Sequence, residues 1–252
     1  MRIWVTRPVE DAQSFAEALS KLGHTPLIAP LFSRTTILDE TLARQLEAYN
    51  PTHTIVTSRN ALRSASDNSA LSAIIGTQMI AVGPGTADLA RQLGFAQVRH
   101  GPGRASDIMR LITPHQHNSG RAGTPRYLVL RGEDVTFDIA TALTDSGCDV
   151  MEATTYRMEP EPNLPDQIGA AIADGALDAV TLFSPRAAER YVALVKGSAL
   201  ERQASQLTHY CLSDRISYAL APLEPPCFAV ACQPNVQEML ALIGGPAAHS
   251  VH

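Results

Sequence analysis

With 252 residues, 45% of them hydrophobic and 18% charged, the chain is long enough for two cores and too apolar for wholesale disorder. A net charge of −5 argues against nucleic acid as the main partner, since phosphate binding asks for a basic face, although it leaves room for local basic pockets. The four cysteines form no CxxC pair and have no histidine at zinc-ligand spacing, so no metal site is expected, and Cys148 and Cys211 read as reduced core residues in apolar strands.

Arg2–Thr6 predicts a short buried strand, and the apolar spacing of Ala12–Leu22 predicts a helix, with Glu10 and Asp11 at its start and Gly23 just past its end. Arg7, Glu10 and Asp11 follow the start too soon for a secretory signal, and no apolar run is long enough to span a bilayer, so a cytoplasmic protein is expected. Thr25–Ala29 is the next strand, Phe32–Leu38 an extended segment, Asp39–Tyr49 a helix and Thr54–Thr57 a core strand ending at Ser58, with a further helix beginning at Ala61–Ser64. Met79–Val82 is a strand, Gly83-Pro84-Gly85 a turn, and Thr86–Leu93 a helix closed by Gly94. Ser106 and Asp107 read as an N-cap pair for Ile108–Ile112, Pro114–Pro125 as a polar surface loop, and Gly244–His252 as a frayed tail.

From Tyr127 the strand–helix alternation repeats. Ile3–Phe32 aligns with Tyr127–Tyr156 without a gap, with Val5/Val129, Arg7/Arg131, Ala16/Ala140, Leu19/Leu143, Gly23/Gly147 and Ala29/Ala153 among the identities. Thr57–Ala61 resembles Phe183–Ala187, and Ile80–Phe95 resembles Tyr210–Leu223. A repeat this long implies two homologous α/β domains, each Rossmann-like or flavodoxin-like with a parallel sheet and helices on both faces. Clefts between domains are common ligand sites.

Ligands on such sheets bind beyond the carboxyl ends of the strands. The candidate site is therefore the set of strand-end turns: Thr6-Arg7-Pro8, Ser58-Arg59-Asn60, Gly83–Thr86, Arg131-Gly132-Glu133, Ser184-Pro185-Arg186 and Ser213-Asp214-Arg215. Helix N-termini after most of them offer unpaired N–H groups to carboxylates or phosphates, and Arg7, Arg59, Arg131, Arg186 and Arg215 could add charge-assisted bonds; for any single one an ordinary cap or surface arginine is the commoner case, while recurrence at equivalent positions of both halves favours the site. Gly83–Asp88 begins like GxGxxG but has Asp88 at the third glycine, and Pro84 removes a donor, so no nicotinamide or flavin cofactor is expected. Neither a P-loop nor a GxSxG elbow is present. His115 and His117 read as a solvated loop. Tyr156 ends an extended segment as either a proton donor or a strand aromatic with its hydroxyl in water.

VTRP (Val5–Pro8), ALSKLGH (Ala18–His24), TSRNA (Thr57–Ala61), AVGPGTADLARQLGF (Ala81–Phe95), LRGE (Leu130–Glu133), the strand ending at Tyr156 and FSPRAAE (Phe183–Glu189) come in an order that resembles the uroporphyrinogen-III synthase family across nearly the whole chain. The resemblance implies a cofactor-free cyclase of haem biosynthesis that converts hydroxymethylbilane to uroporphyrinogen III, with loss of water and inversion of ring D. It implies one domain from residues 1–32 plus 161–245, a second from 42–149, two antiparallel linker strands at 33–41 and 150–160, and a tail at 246–252. It assigns Tyr156 as the proton donor and Thr86 to substrate binding, and places Ser58, Asn60, Ser106, Arg131, Gly132, Ser184 and Pro185 at motif positions. Arg7, Gly83 and Ser213 join them from the turns. Ser213-Asp214-Arg215-Ile216 departs from the Gly-x-x-Thr of many members, so Arg215 either takes an anionic group of the substrate or faces solvent. A monomer is implied, with hydroxymethylbilane as its small-molecule partner, transient contact with the preceding enzyme of the pathway, and neither nucleic acid nor membrane.

Two other classes compete. A non-catalytic two-domain module for a small polyanionic metabolite would show the same turns. A receiver-like regulatory protein is opposed by the missing acidic cluster and phosphoacceptor aspartate.

Overall fold

The computed structural model of the protein describes residues 1–38, 40–67, 70–112, 125–135, 137–225 and 227–245. In chain order the elements are β1 (Arg2–Val5), α1 (Val9–Lys21), β2 (Thr25–Ile28), β3 (Phe32–Thr36), α2 (Glu40–Tyr49), β4 (His53–Val56), α3 (Arg59–Ser66), α4 (Ala70–Ile74), β5 (Gln78–Ala81), α5 (Pro84–Gln92) and β6 (Val98–His100). There follow β7 (Arg126–Gly132), α6 (Ile139–Asp145), β8 (Asp149–Pro160), α7 (Asp166–Ala173), β9 (Ala179–Leu182), α8 (Pro185–Val195), α9 (Glu201–Ser205), β10 (Thr208–Cys211), α10 (Asp214–Ala219), β11 (Phe228–Val230) and α11 (Val236–Gly244). No helix among the described residues is long and apolar enough to cross a membrane.

The chain divides into two compact units, Met1–Ser33 with Glu159–His252, and Arg34–Met158. The first holds a sheet in the order β2-β1-β9-β10-β11, with every neighbouring pair parallel. The second holds β3-β8-β7-β4-β5-β6, parallel from β8 through β6. The repeat equates β1-α1-β2 with β7-α6-β8, β4 with β9, and β5 with β10. Both sheets thus share one spatial order, and the chain enters the second at a different strand. Two consecutive halves could not give this arrangement, because Ile3 on β1 pairs with Ala179 on β9.

The central strands are buried along their length, as parallel strands covered on both faces must be: Ile3, Trp4, Val5, Ile55 and Val56 are fully buried. Side chains stitch β1 to its neighbours. Trp4 Nε1 donates to the Ala29 carbonyl at 2.6 Å, Thr6 Oγ1 to Thr181 O at 2.6 Å, and Thr181 Oγ1 to Trp4 O at 3.1 Å.

Several boundaries differ from the sequence expectation. Helix α1 starts three residues earlier than Ala12, because the Pro8 carbonyl accepts from the N–H groups of Asp11 and Ala12, both at 2.9 Å. Pro84 and Gly85 are the first residues of α5 instead of a turn, since proline at N1 presets the helical φ and has no N–H to lose. Ser106 is not an N-cap: it lies inside a 3₁₀ helix, Ala105–Arg110, capped by Arg104 and closed by short-range bonds such as Leu111 N to Ile108 O at 2.8 Å. Tyr156 does not end its strand, because β8 runs on to Pro160. Cys211 is a buried strand residue whose thiol is pushed up to about 12 by desolvation, whereas Cys148 sits half-buried in the turn before β8. Most of the expected loop, His115 and His117 included, lies outside the described residues, as does the tail beyond Gly245.

One buried histidine sets an acid limit on the first unit. His209 on β10 is fully buried, with Nδ1 3.2 Å from the Cys227 carbonyl oxygen and Nε2 3.1 Å from the Tyr191 hydroxyl. Burial pushes its pKa from 6.5 down to about 4, so the folded ring stays neutral where the unfolded chain already takes up a proton. The sign follows: its contribution is complete above 6.5 and is lost as pH falls toward 4, a total of about 3 kcal/mol. Denaturant unfolding at about pH 7 and about pH 4.5 should show this loss in the wild type and a smaller one in His209→Gln. Parallel losses in both proteins would place its source elsewhere.

Candidate active site

Because β1, β2 and β9–β11 are parallel in the first sheet and β4–β8 in the second, the carboxyl-end turns of these strands in a unit lie along one edge. In the first unit β1 and β9 are neighbours whose onward connections run to opposite sides, so the crevice at this switch point is flanked by Thr6-Arg7-Pro8 and Ser184-Pro185. In the second unit the corresponding neighbours are β7 and β4, which bring Arg131-Gly132 beside Ser58-Arg59-Asn60.

The second switch point carries the most specific geometry. Along β7 and β8, Leu130 pairs with Ala153 and Arg131 with Thr154, but Gly132 pairs with Tyr156. One extra residue, Thr155, is thus inserted in β8. Regular alternation would put Ala153 and Tyr156 on opposite faces; the bulge brings both to the face of Leu128, Leu130 and Gly132. Thr155 stays fully buried, its Oγ1 bonded to the carbonyls of Arg131 at 3.2 Å and Ala61 at 3.3 Å. Tyr156 then packs against the core cluster around Leu62, Leu128 and Leu130, and its hydroxyl lies 3.0 Å from Ser58 Oγ. Gly132 makes room for the ring, since a Cβ there would come 2.6 Å from Tyr156 Cζ and 2.8 Å from its hydroxyl oxygen.

Ser58 is the N-cap of α3, extended at φ −154° and ψ 157°, and its Oγ accepts from Ala61 N–H at 3.1 Å. Asn60 is half-buried; its Oδ1 accepts from Arg63 at 3.1 Å. Thr86 is buried in the first turn of α5, whose cap residue Gly83 forms no side-chain cap bond. Gly83 serves packing: a Cβ on it would stand 3.1 Å from Gly103 Cα. Ser106 is exposed on its 3₁₀ helix.

Arg131 does not offer its guanidinium outward. Nη2 is paired with Glu152 at 2.6 Å, and Nη1 donates to the carbonyls of Gly132 at 3.1 Å and Glu133 at 3.2 Å. The Glu152 carboxylate raises its pKa further. Its observed role is to tie the β7 end to β8 beside the bulge.

At the first switch point, Ser184 caps α8 through Ala187 N–H at 3.1 Å, with Pro185 at the first helical position. Arg7 stacks over Phe183 at 4.3 Å and meets Asp11 at 3.5 Å, and Arg186 lies 4.8 Å over the Phe32 ring. Ser213 is the N-cap of α10 without a side-chain cap bond, and Arg215 is exposed in the first turn. Thr155 and Glu152 were not singled out from sequence. The only signal for Thr155 was its place one residue before Tyr156, because a bulge has no composition of its own.

Residues 13–241 match the sequence model of the family described as Uroporphyrinogen-III synthase HemD. No curated protein matches the chain. Among solved structures, uroporphyrinogen-III synthetase from Helicobacter pylori superposes with a TM-score of 0.60 at 16% identity, covering 96% of this chain and 97% of that one. A mutant uroporphyrinogen III synthase from Thermus thermophilus gives 0.54 at 18% identity, covering 95% and 96%. These likenesses show the shared fold.

Proposed function

The chain belongs to the uroporphyrinogen-III synthase family, cyclising lyases of haem biosynthesis, and from that footing we propose that Tyr156 supplies the proton with which it turns hydroxymethylbilane into uroporphyrinogen III. The observation that carries the assignment is the Tyr156 hydroxyl held 3.0 Å from Ser58 at the β7–β4 switch point, where the bulge in β8 turns the ring toward Gly132 and the glycine leaves room for it.

The chemistry needs little else from side chains. The electron-rich pyrrole pushes out its own hydroxyl; Tyr156 O–H gives that oxygen its proton, the C–O bond breaks, and water leaves. Ring D attacks the resulting azafulvene through its substituted carbon, and the spiro intermediate fragments and recloses with ring D inverted. The proton shed as the ring regains aromaticity restores the phenol. Because the linear substrate also closes unaided to the type I isomer, the protein's task is to favour one closure by positioning. The open N-termini of α5 and α10, with Thr86, Ser213, Arg7 and Arg215, suit the substrate's carboxylates. Ser184, Pro185, Gly83 and Asn60 shape the same edges. The same reading takes the protein as a cytoplasmic monomer that meets the enzyme making its substrate only transiently.

Purified protein supplied with hydroxymethylbilane generated in situ should yield type III uroporphyrin in an amount that rises with protein concentration, as resolved by chromatography after oxidation. Type I alone at the spontaneous rate, from folded protein, would favour the binding module.

A further inference from the structure

We propose that Ser58 is the positioning residue for the Tyr156 proton: its hydroxyl donates to the phenolic oxygen while the phenolic proton is turned to the leaving hydroxyl. This rests on Tyr156 being the donor.

A serine hydroxyl has one proton and two lone pairs. One lone pair of Ser58 Oγ accepts from Ala61 N–H at 3.1 Å, which fixes the oxygen at the start of α3. The 3.0 Å contact with Tyr156 can then run either way. If the phenol donates, its proton points into the protein and is withheld from substrate. If the serine donates, the phenolic proton is free. As that proton leaves, the serine bond becomes charge-assisted to a phenolate, beside the positive end of an eight-residue helix. Rotation of one hydroxyl converts the resting arrangement into the reactive one, so Ser58 acts through Tyr156 and not by touching substrate.

The duplication separates this role from capping. Ser184 occupies the matching place in the first unit and makes the same cap bond, to Ala187 N–H at 3.1 Å. Yet the residue aligned with Tyr156 is Phe32, which has no hydroxyl and stacks under Arg186. Capping accounts for Ser184; the bond to a phenol is what the second unit adds.

The test compares wild type, Ser58→Ala, Ser58→Thr, Tyr156→Phe and the Ser58→Ala/Tyr156→Phe double variant by kcat and KM for type III formation, with thermal melts as the folding check. Ser58→Ala should lower kcat about 10- to 100-fold with KM within about twofold, the range of one hydrogen bond to a developing charge. Threonine should restore most of it. In the Tyr156→Phe background the same change should cost less than about twofold. An equal loss in both backgrounds would make Ser58 only a cap and overturn the proposal. Slow Tyr156→Phe beside an unchanged Ser58→Ala would sink this proposal alone, whereas wild-type turnover in Tyr156→Phe would bring down both assignments. Should Ser58→Ala not fold, Ser58→Gly, better tolerated at a helix start, takes its place in the cycle.

Discussion

Tyr156→Phe is expected to slow formation of type III product about 100- to 10,000-fold, the usual share of a general acid, while the protein stays folded. The sequence repeat offers a precedent for the change. In the gapless alignment of Ile3–Phe32 with Tyr127–Tyr156, the position of Tyr156 is phenylalanine in the first unit, following the same strand–helix–strand order. Phenylalanine keeps the ring that packs against Leu62, Leu128 and Leu130 and removes only the hydroxyl. Its removal leaves Ser58 bonded to Ala61 N–H, so no buried cap is orphaned, and the cost in stability should be one modest hydrogen bond, about 1 kcal/mol. Turnover under excess substrate, read beside a thermal melt, decides the matter. A folded variant at the wild-type rate would remove Tyr156 from the mechanism and leave proton donation to solvent.

How much of this was legible beforehand depended on the range of the interaction. The repeat exposed two α/β units because strand and helix periods are local and survive divergence: Gly23 and Gly147 both end a helix at positive φ, 81° and 79°. The strand-end turns followed from the rule for open parallel sheets, and Ser58 and Ser184 cap helices as their residue types suggest. What local pattern could not supply was the partner a side chain finds far away in sequence, or the burial a segment reaches in the fold. Arg131 reads in sequence as a candidate anion-binding arginine; its pairing with Glu152, 21 residues on, lies across a strand pair that no local pattern reveals. Ser106 looked like a cap because Ser-Asp before an apolar run usually is one, yet only Ile108 of its 3₁₀ segment is buried, too little to carry an α-helix. The Gly83-Pro84-Gly85 run suggested a turn and a broken nucleotide motif; in the fold its first glycine answers to Gly103. The Tyr156–Ser58 contact spans 98 residues and depends on one inserted residue, so sequence could nominate both partners but not join them.

That dependence on space makes Gly132→Ala the second large effect. Gly132 does not need a glycine backbone, because its φ lies outside the left-handed region, so alanine adds a methyl group without backbone strain. The methyl carbon would lie 2.6 Å from Tyr156 Cζ, 2.8 Å from Cε1 and 2.8 Å from the hydroxyl oxygen, all well inside contact distance. Gly132 is itself buried and on the paired strand, and the ring backs onto the cluster of Leu62, Leu128, Leu130 and Ala153. Relief therefore comes from swinging the ring end away, which breaks the contact with Ser58. Overpacking of this kind costs about 1–3 kcal/mol of stability. The catalytic loss should be larger, about 100-fold or more, because a displaced proton donor is close to an absent one. The two lesions should not multiply: Gly132→Ala placed on Tyr156→Phe should add little, since the hydroxyl it misplaces is already gone. Measured turnover near wild type in Gly132→Ala would mean that the ring yields without losing its place, and that the bulge at Thr155, not the glycine, is what aims Tyr156.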